Sequence, residues 1–319
     1  MSFTISNNSA AASSNYYLGK NQELLQTSIK RLASGKKIIR PSDDPGSLSV
    51  AMKLNASISR LTGAKNNVQN GTSFLEVQDG VLDGVGKIVT RMAELKGLGS
   101  QDPMKSSSDI ESYNLEFRDL QRQLYDMSQM TFNGVSLFAN FANNGTTESV
   151  FKSASTNHTV SIHTSTQGSA GSKISLHKSA LLAALTMTND SAKTAVKFSS
   201  STHTGTGKAG SSDVISFAAS VSNKTWNLDA VSMGVFQQAL ENIAYLRAHV
   251  GGQMSRLSFA ADTLSVQQTN IRAALGRIED VDIAEESSNL SKYNILTQAA
   301  ASMLVQANST NDVAMMLLR

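Results

Sequence analysis

The side chains of this chain first considered for chemistry are five histidines and the adjacent acids Asp43-Asp44 and Glu279-Asp280. The histidines are His158, His163, His177, His203 and His249. None stands in an H-E-x-x-H helix, the pattern that places two imidazoles on one face to hold zinc with a glutamate as base. His158 and His163 are five positions apart, so on a strand they point to opposite faces, which disfavours a shared metal. They read as solvent-facing residues of a polar segment. Asp43-Asp44 falls in a linker and Glu279-Asp280 near helix ends, where carboxylates cap N-terminal N–H groups or pair with cations. No G-x-S-x-G elbow or phosphate-binding loop occurs. The chain has no cysteine, so thiolate ligands, disulfides and a cysteine nucleophile are excluded. No enzyme, cofactor or metal is expected.

The elements that would have to position any site are long helices. Near the C-terminus a 3–4 pattern runs Phe236, Leu240, Ile243, Arg247, Val250, Met254, Leu257, Ala261, Leu264, Gln268, Ile271, Leu275, Ile278. Near the N-terminus Leu54, Leu61, Val68, Leu75, Leu82 and Val89 recur at sevens, and Ile110, Tyr113, Phe117, Leu120, Leu124 and Met127 form a third stripe. Such sustained spacing marks helices that pack along their length in coiled coils or bundles. A helix from about Pro45 to Gly97 would be roughly 75–80 Å long, longer than a compact globule of this size is wide. The expected fold is mainly α: a helical rod built from both ends of the chain, with a small β-rich insertion.

The chain has 319 residues, a net charge of +3 and an isoelectric point near 9.0. Lys and Arg are scattered, which fits solvated helix faces and not nucleic-acid binding. No apolar run reaches membrane-spanning length. The first twenty residues have neither a basic leader nor an apolar core, so no cleaved secretory signal is expected.

Residues 1 to about 15 are small and polar and read as disordered by themselves. Leu18, Leu25 and Leu32 then share a helix face that Gly35 ends. Asp44 followed by Pro45 is a strong helix start, and that helix runs to about Gly97–Gly99, before Pro103. Its interior glycines Gly80, Gly84 and Gly86 either are tolerated or admit close backbone approach. Ser108-Asp109-Ile110-Glu111 reads as a capping box for a third helix ending near Met130, and Asn133-Gly134 reads as a turn. From Gly134 to Leu228 the heptads vanish and short alternations appear at Val160/Ile162, Ile174/Leu176 and Ile215/Phe217, expected as strands. A short helix is expected around Ser179–Met187. Helix resumes near Asp229, and a last helix reaches Leu317. In that last helix Tyr293, Leu296, Ala300, Met303, Ala307, Thr310, Ala314 and Leu317 form a narrow stripe of mostly small residues. It is a weak helix alone and needs a partner helix or a neighbouring subunit.

Several motifs at the two ends resemble bacterial flagellin. Leu32-Ala33-Ser34-Gly35 with Asp43-Asp44 is similar to its L-S-S-G…D-D segment, and Thr131-Phe132-Asn133-Gly134 to its Q-F-N-G turn. Arg277-Ile278-Glu279-Asp280 with Asp282 and Ala284 resembles R-I-E-D-x-D-x-A. Ser288-Asn289-Leu290-Ser291-Lys292 with Ile295-Leu296 resembles S-N-M-S-K-x-x-I-L. Gln306-Ala307-Asn308 and the terminal Leu317-Leu318-Arg319 extend the likeness, which covers about 1–140 and 229–319. Two segments depart. Ile5-Ser6-Asn7-Asn8 follows the family's opening loosely, and Pro41-Ser42-Asp43-Asp44-Pro45 is closer to the hook–filament junction protein.

The resemblance implies an exported subunit that polymerises into the flagellar filament for swimming, outside the cell, with other copies of itself as partner. Export without a cleaved signal, an export chaperone, and hook-associated and cap proteins are further implications. It implies an inner terminal domain of 1–40 with 284–319, a helical-bundle domain of 41–139 with 229–283, and a variable surface domain of 140–228. Filament assembly would rest on Leu18, Leu25, Leu32, Tyr293, Leu296, Ala300, Met303, Ala307 and Leu317. The bundle core would be Leu54, Leu61, Val68, Leu75, Leu82, Phe117, Leu124, Ile243, Val250, Leu257, Leu264 and Ile271. Arg91 and Leu95 match two positions that an innate immune receptor recognises in some flagellins, although Met92-Ala93 between them departs. The alternatives are the junction protein and a secreted protein whose Ser/Thr-rich middle adheres to surfaces or carries glycans.

Overall fold

In the computed structural model the described residues are 8–100, 105–139, 159–165, 167, 170–188, 214–219 and 225–317, with side chains described for all of them except 100, 188, 214–215 and 311–317. Ile5, Ser6, Asn7, Pro103, His158, His203 and the side chains of Ala314 and Leu317 therefore lie outside the described residues. The helices are α1 (Ser9–Ser34), α2 (Pro45–Ser100), α3 (Ser107–Ser128), the one-turn α4 (Leu181–Ala184), α5 (Met233–Glu279) and α6 (Ile283–Leu317). Among the described residues, six short strands form three two-stranded antiparallel sheets: β1 (Thr131–Phe132) with β2 (Val135–Ser136), β3 (Thr159–His163) with β4 (Lys173–His177), and β5 (Thr186–Thr188) with β6 (Val214–Ser216). The described chain is mainly helical with a small strand-containing middle, as the heptads and alternations lead one to expect.

Two compact units emerge: Met1–Ser59 with Gln267–Arg319, and Arg60–Val266. The second, the body, holds most of the core. On α2 the buried positions are Leu61, Ala64, Val68, Phe74, Leu75, Gln78, Leu82, Val85, Val89, Met92 and Leu95. These keep the 3–4 spacing of one helix face. Phe117 and Leu124 of α3 are fully buried, and Phe117 meets Phe236 of α5 edge-on at 5.9 Å. Edge-to-face contact suits the ring quadrupole and adds ~0.5–1.5 kcal/mol to burial.

Polar side chains fasten the middle segments to the helices. Asn114 accepts from the Leu228 N–H at 2.9 Å, and Gln121 both donates to the Trp226 carbonyl and accepts from its N–H. Gln78 donates to the Leu137 carbonyl, and Asn242 to the Ala184 carbonyl that ends α4. Each supplies a partner to backbone that no ladder satisfies. Gly71 of α2 lies against Ile162 of β3: a Cβ there would stand 2.0 Å from Ile162 Cδ1. Close approach thus belongs to Gly71; Gly80 and Gly86 face open space, and a Cβ at Gly84 would stand 3.0 Å from the mobile end of Met127.

Local expectations meet the structure unevenly. Asp44 caps α2 through the Ser47 N–H at 3.0 Å, and Pro45 is its first residue. Asn133 and Gly134 both take positive φ, 49° and 78°, in the two-residue turn of β1–β2, the combination that favours Asn-Gly. The capping box of α3 is Ser106 with Asp109, two residues before the expected Ser108 with Glu111. A run of three serines offers several caps, and the carboxylate of Asp109 selects the one whose N–H and hydroxyl it reaches at 3.0 and 2.9 Å. Asp229 sits in a 3-10 turn (Leu228–Ala230), and α5 starts only at Met233. The expected helix over 179–187 shortens to α4, because Thr186 bonds the Ala183 carbonyl and the chain leaves as β5. Residues 9–15, polar enough to read as disordered, are helical, for a reason that α6 supplies.

Candidate assembly interface

α1 and α6 form an antiparallel pair in the first unit. Asn8 stands at the start of α1: its side chain caps the Ala11 N–H at 3.0 Å and donates to the Ala307 carbonyl, far along α6, at 2.9 Å. Near the other end Arg31 of α1 approaches Glu286, in the first turn of α6, at 3.8 Å. The polar start of α1 is thus helical because it has a cap and a partner helix. Gly35 ends α1 at φ +71°, where a side chain would be strained, and sends its N–H to the Arg31 carbonyl.

The strands of chain that enter and leave the pair are sewn together. Val281 donates to the Gly35 carbonyl at 3.0 Å, Lys37 donates to the Glu279 carbonyl at 2.7 Å, and Lys36 forms an ion pair with Glu279. Asp282 caps α6 by accepting from the Ala284 and Glu285 N–H groups. Asp43 accepts from the Ile39 and Arg40 N–H groups, and the Arg40 bond, then the Ile39 bond, hold its carboxyl below the usual range. Asp44 is lowered by its Ser47 hydrogen bonds. The motif residues Asp43, Asp44, Glu279 and Asp282 of the two linkers therefore act as caps and clamps.

The α1–α6 pair buries little. Among its described side chains only Ser28 and Glu286 are fully buried. Leu18, Leu25, Leu32, Tyr293, Ala300 and Ala307 are half-buried, while Leu296 and Met303 are exposed. The less exposed line on α6 runs Glu286, Leu290, Tyr293, Thr297, Ala300, Leu304, Ala307. It shares Tyr293, Ala300 and Ala307 with the expected stripe but takes the neighbours at +4, Thr297 and Leu304, instead of those at +3. Leu296 and Met303 belong with the outward residues Ile295 (66% exposed) and Val305 (70%). On α1, Tyr16, Tyr17 and Ile29 are likewise outward. Two helices alone cannot cover both sides of each other, so large apolar side chains remain in water.

In the body, Leu61, Val68, Leu75, Leu82, Phe117, Leu124, Ile243, Val250, Leu257 and Leu264 are all buried, whereas Leu54 and Ile271, which belong to the first unit, are half-buried. The second buried line of α5 is Ala239, Leu246 and Gln253, one residue before the expected Leu240, Arg247 and Met254. Arg247 therefore sits at the edge of the seam, with Asp79 at 2.9 Å and Asp83 at 2.8 Å on α2. These two carboxylates hold its guanidinium more firmly charged, Asp79 first. Sequence pattern shows the arginine as a break; only the acids one turn apart on α2 reveal it as a clamp.

Arg91 is exposed and held by Glu116 of α3 at 2.8 Å and by Glu94 at 3.1 Å. Leu95 is fully buried, as is Met92. Of the two positions matched to a receptor contact, Arg91 is therefore on the surface and Leu95 is not.

The comparisons follow these elements. Residues 5–143 match the bacterial flagellin N-terminal helical region, and residues 233–318 match the bacterial flagellin C-terminal helical region. The flagellin of Listeria innocua is 30% identical over 95% of this chain and 94% of its own. The chain belongs to the bacterial flagellin family. The flagellin of Bacillus subtilis is 28% identical over 99% of both chains, and flagellin FlaB2 of Treponema pallidum is 28% identical over 99% of both. As a flagellin it is a structural subunit of the bacterial flagellar filament and serves motility. Among the described residues no helix is long and apolar enough to cross a membrane.

Proposed function

We propose that this flagellin polymerises through the outward faces of the α1–α6 pair, which dock against the same helices of neighbouring subunits. The observation that carries the reading is the pair's exposure: Tyr16, Tyr17, Ile29, Ile295, Met303 and Val305 stand in solvent on helices among whose described side chains no apolar one is fully buried. Burying one such residue at an interface contributes ~1.5–3 kcal/mol, so a ring of neighbours supplies what the isolated hairpin lacks. The residues proposed for assembly are Leu18, Leu25, Leu32, Tyr293, Leu296, Ala300, Met303, Ala307 and Leu317, with Leu296 and Met303 the ones already facing outward.

The division into an inner domain (1–40 with 284–319), a bundle domain (41–139 with 229–283) and a surface domain (140–228) is proposed with it. So is passage through the flagellar type III export apparatus, with an export chaperone, and contact with hook-associated and cap proteins at the filament ends. These rest on the family resemblance.

Purified monomer seeded with short filament fragments at neutral pH tests the reading by electron microscopy. Long uniform filaments of this one chain are expected. Short stubs or no growth, with seeds that elongate on another flagellin, would overturn homopolymer assembly and favour the junction-protein reading.

A further inference from the structure

Gln253 makes an unusual set of bonds in the body. It is buried on α5, one turn beyond His249. Its Oε1 accepts from the backbone N–H of His177 on β4 at 2.9 Å, and its Nε2 donates to the His177 carbonyl at 3.3 Å. The side-chain amide thus pairs with β4 as another strand would. The same Nε2 stands 2.7 Å from Nδ1 of His249. Because Oε1 is committed to a backbone donor, the amide orientation is fixed, and Nε2 must donate to His249. Nδ1 of His249 is therefore an acceptor, which requires a neutral ring with its proton on Nε2.

A proton on Nδ1 would set N–H against N–H. Turning the amide over to accept from the imidazolium would present its NH2 to the His177 N–H and its oxygen to the His177 carbonyl, and would break both bonds to β4. Among the described residues, His177 on β4, whose ring centre lies 5.9 Å away, and Arg256 on α5 both oppose a positive charge on His249. Burial first, then His177, then Arg256, hold the His249 pKa below its ordinary 6.5.

We propose that Gln253 is a proton-operated latch: it ties the β3–β4 hairpin to α5 while His249 is neutral and releases it when His249 takes a proton. The sign follows from the lowered value. Stabilisation by the latch is complete above about pH 6.5 and is lost as pH falls below it, because the opened form binds the proton more readily. The parts that would be freed are apolar: Leu176 is buried, and Ile162 rests on Gly71.

Amide hydrogen exchange of the full chain as monomer, read on peptides covering 173–177 at pH 8 and pH 5 and corrected for intrinsic rates, tests this. The wild type is expected to lose protection about five- to tenfold at the lower pH, the fold-change of one hydrogen bond, and His249→Asn to lose none of it. Equal loss in both chains, or none in the wild type, overturns the latch. A nuclear magnetic resonance titration of the imidazole C–H signals decides independently of whether the variant folds. His249 is expected to titrate below 6.5 together with the loss of protection, and a midpoint at or above 6.5 overturns the proposal.

Discussion

The α1–α6 hairpin and the body of 60–266 use the same heptad grammar and end in opposite states. In the body, α2, α3 and α5 turn apolar stripes inward, and Leu75, Leu82, Leu124, Phe117 and Val250 are removed from water. In the hairpin, α1 and α6 pack on each other, and the described apolar residues of both are at best half-covered. A heptad seam is therefore a request for neighbours, and the number supplied within one chain decides whether it becomes core or interface. The buried polar groups differ in kind: the body's Gln121 and Asn114 are bonded to backbone, whereas the hairpin's Glu286 meets Arg31 at 3.8 Å.

The comparison breaks most completely by deleting Lys292–Arg319. Filament growth is expected to vanish while the thermal unfolding of the body, followed by near-ultraviolet dichroism, persists. Filaments from the deleted chain would show that the outward faces of α6 are not an interface. Next in size, Leu82→Ala should cost ~2–5 kcal/mol of body stability in a denaturant titration. Met303→Ala should leave monomer unfolding within ~0.5 kcal/mol of wild type, yet raise the critical concentration for polymerisation, read by sedimentation. Equal effects of both on the monomer would remove the distinction between core and interface.

Smaller effects sharpen the body's own construction. Gly71→Ala should destabilise by ~1–3 kcal/mol, since the added methyl meets Ile162 and, at 3.3 Å, Leu257; the shift is read in the midpoint of the same titration. Arg247→Met should cost no more than about 1 kcal/mol, because Arg247 and its acids are all more than a third exposed, with the loss fading in high salt. Asp43, Asp44, Asp83 and Asp109 all have folded values below 3.8. Their contributions are complete above about pH 3.8 and lost as pH falls through the lowered values, so Asp44→Asn should flatten the acid limb of a pH–stability curve.

The caps that need only neighbours in sequence were legible there: Asp44 with Pro45, Gly35 ending α1, and the Asn133-Gly134 turn. So were the primary lines of the long stripes, such as Leu61–Val68–Leu75–Leu82 and Tyr293–Ala300–Ala307. The secondary lines were not. In α5 the seam takes the +3 neighbours Ala239, Leu246 and Gln253, and in α6 it takes the +4 neighbours Thr297 and Leu304. Both +3 and +4 flank the same helix face, so only the partner's position chooses between them.

What the sequence by itself determined is therefore the helical framework, the hairpin-forming alternations and the family, because these rest on local periodicity and on motifs contiguous in the chain. Tertiary structure alone decided that Leu95 faces inward, that Arg247 clamps two acids on α2, and that polar residues 9–15 are helical against α6. It alone placed Gln253 between His177 and His249. Each of these depends on contacts between residues far apart in the chain, and on a three-dimensional distance that no spacing in the sequence encodes.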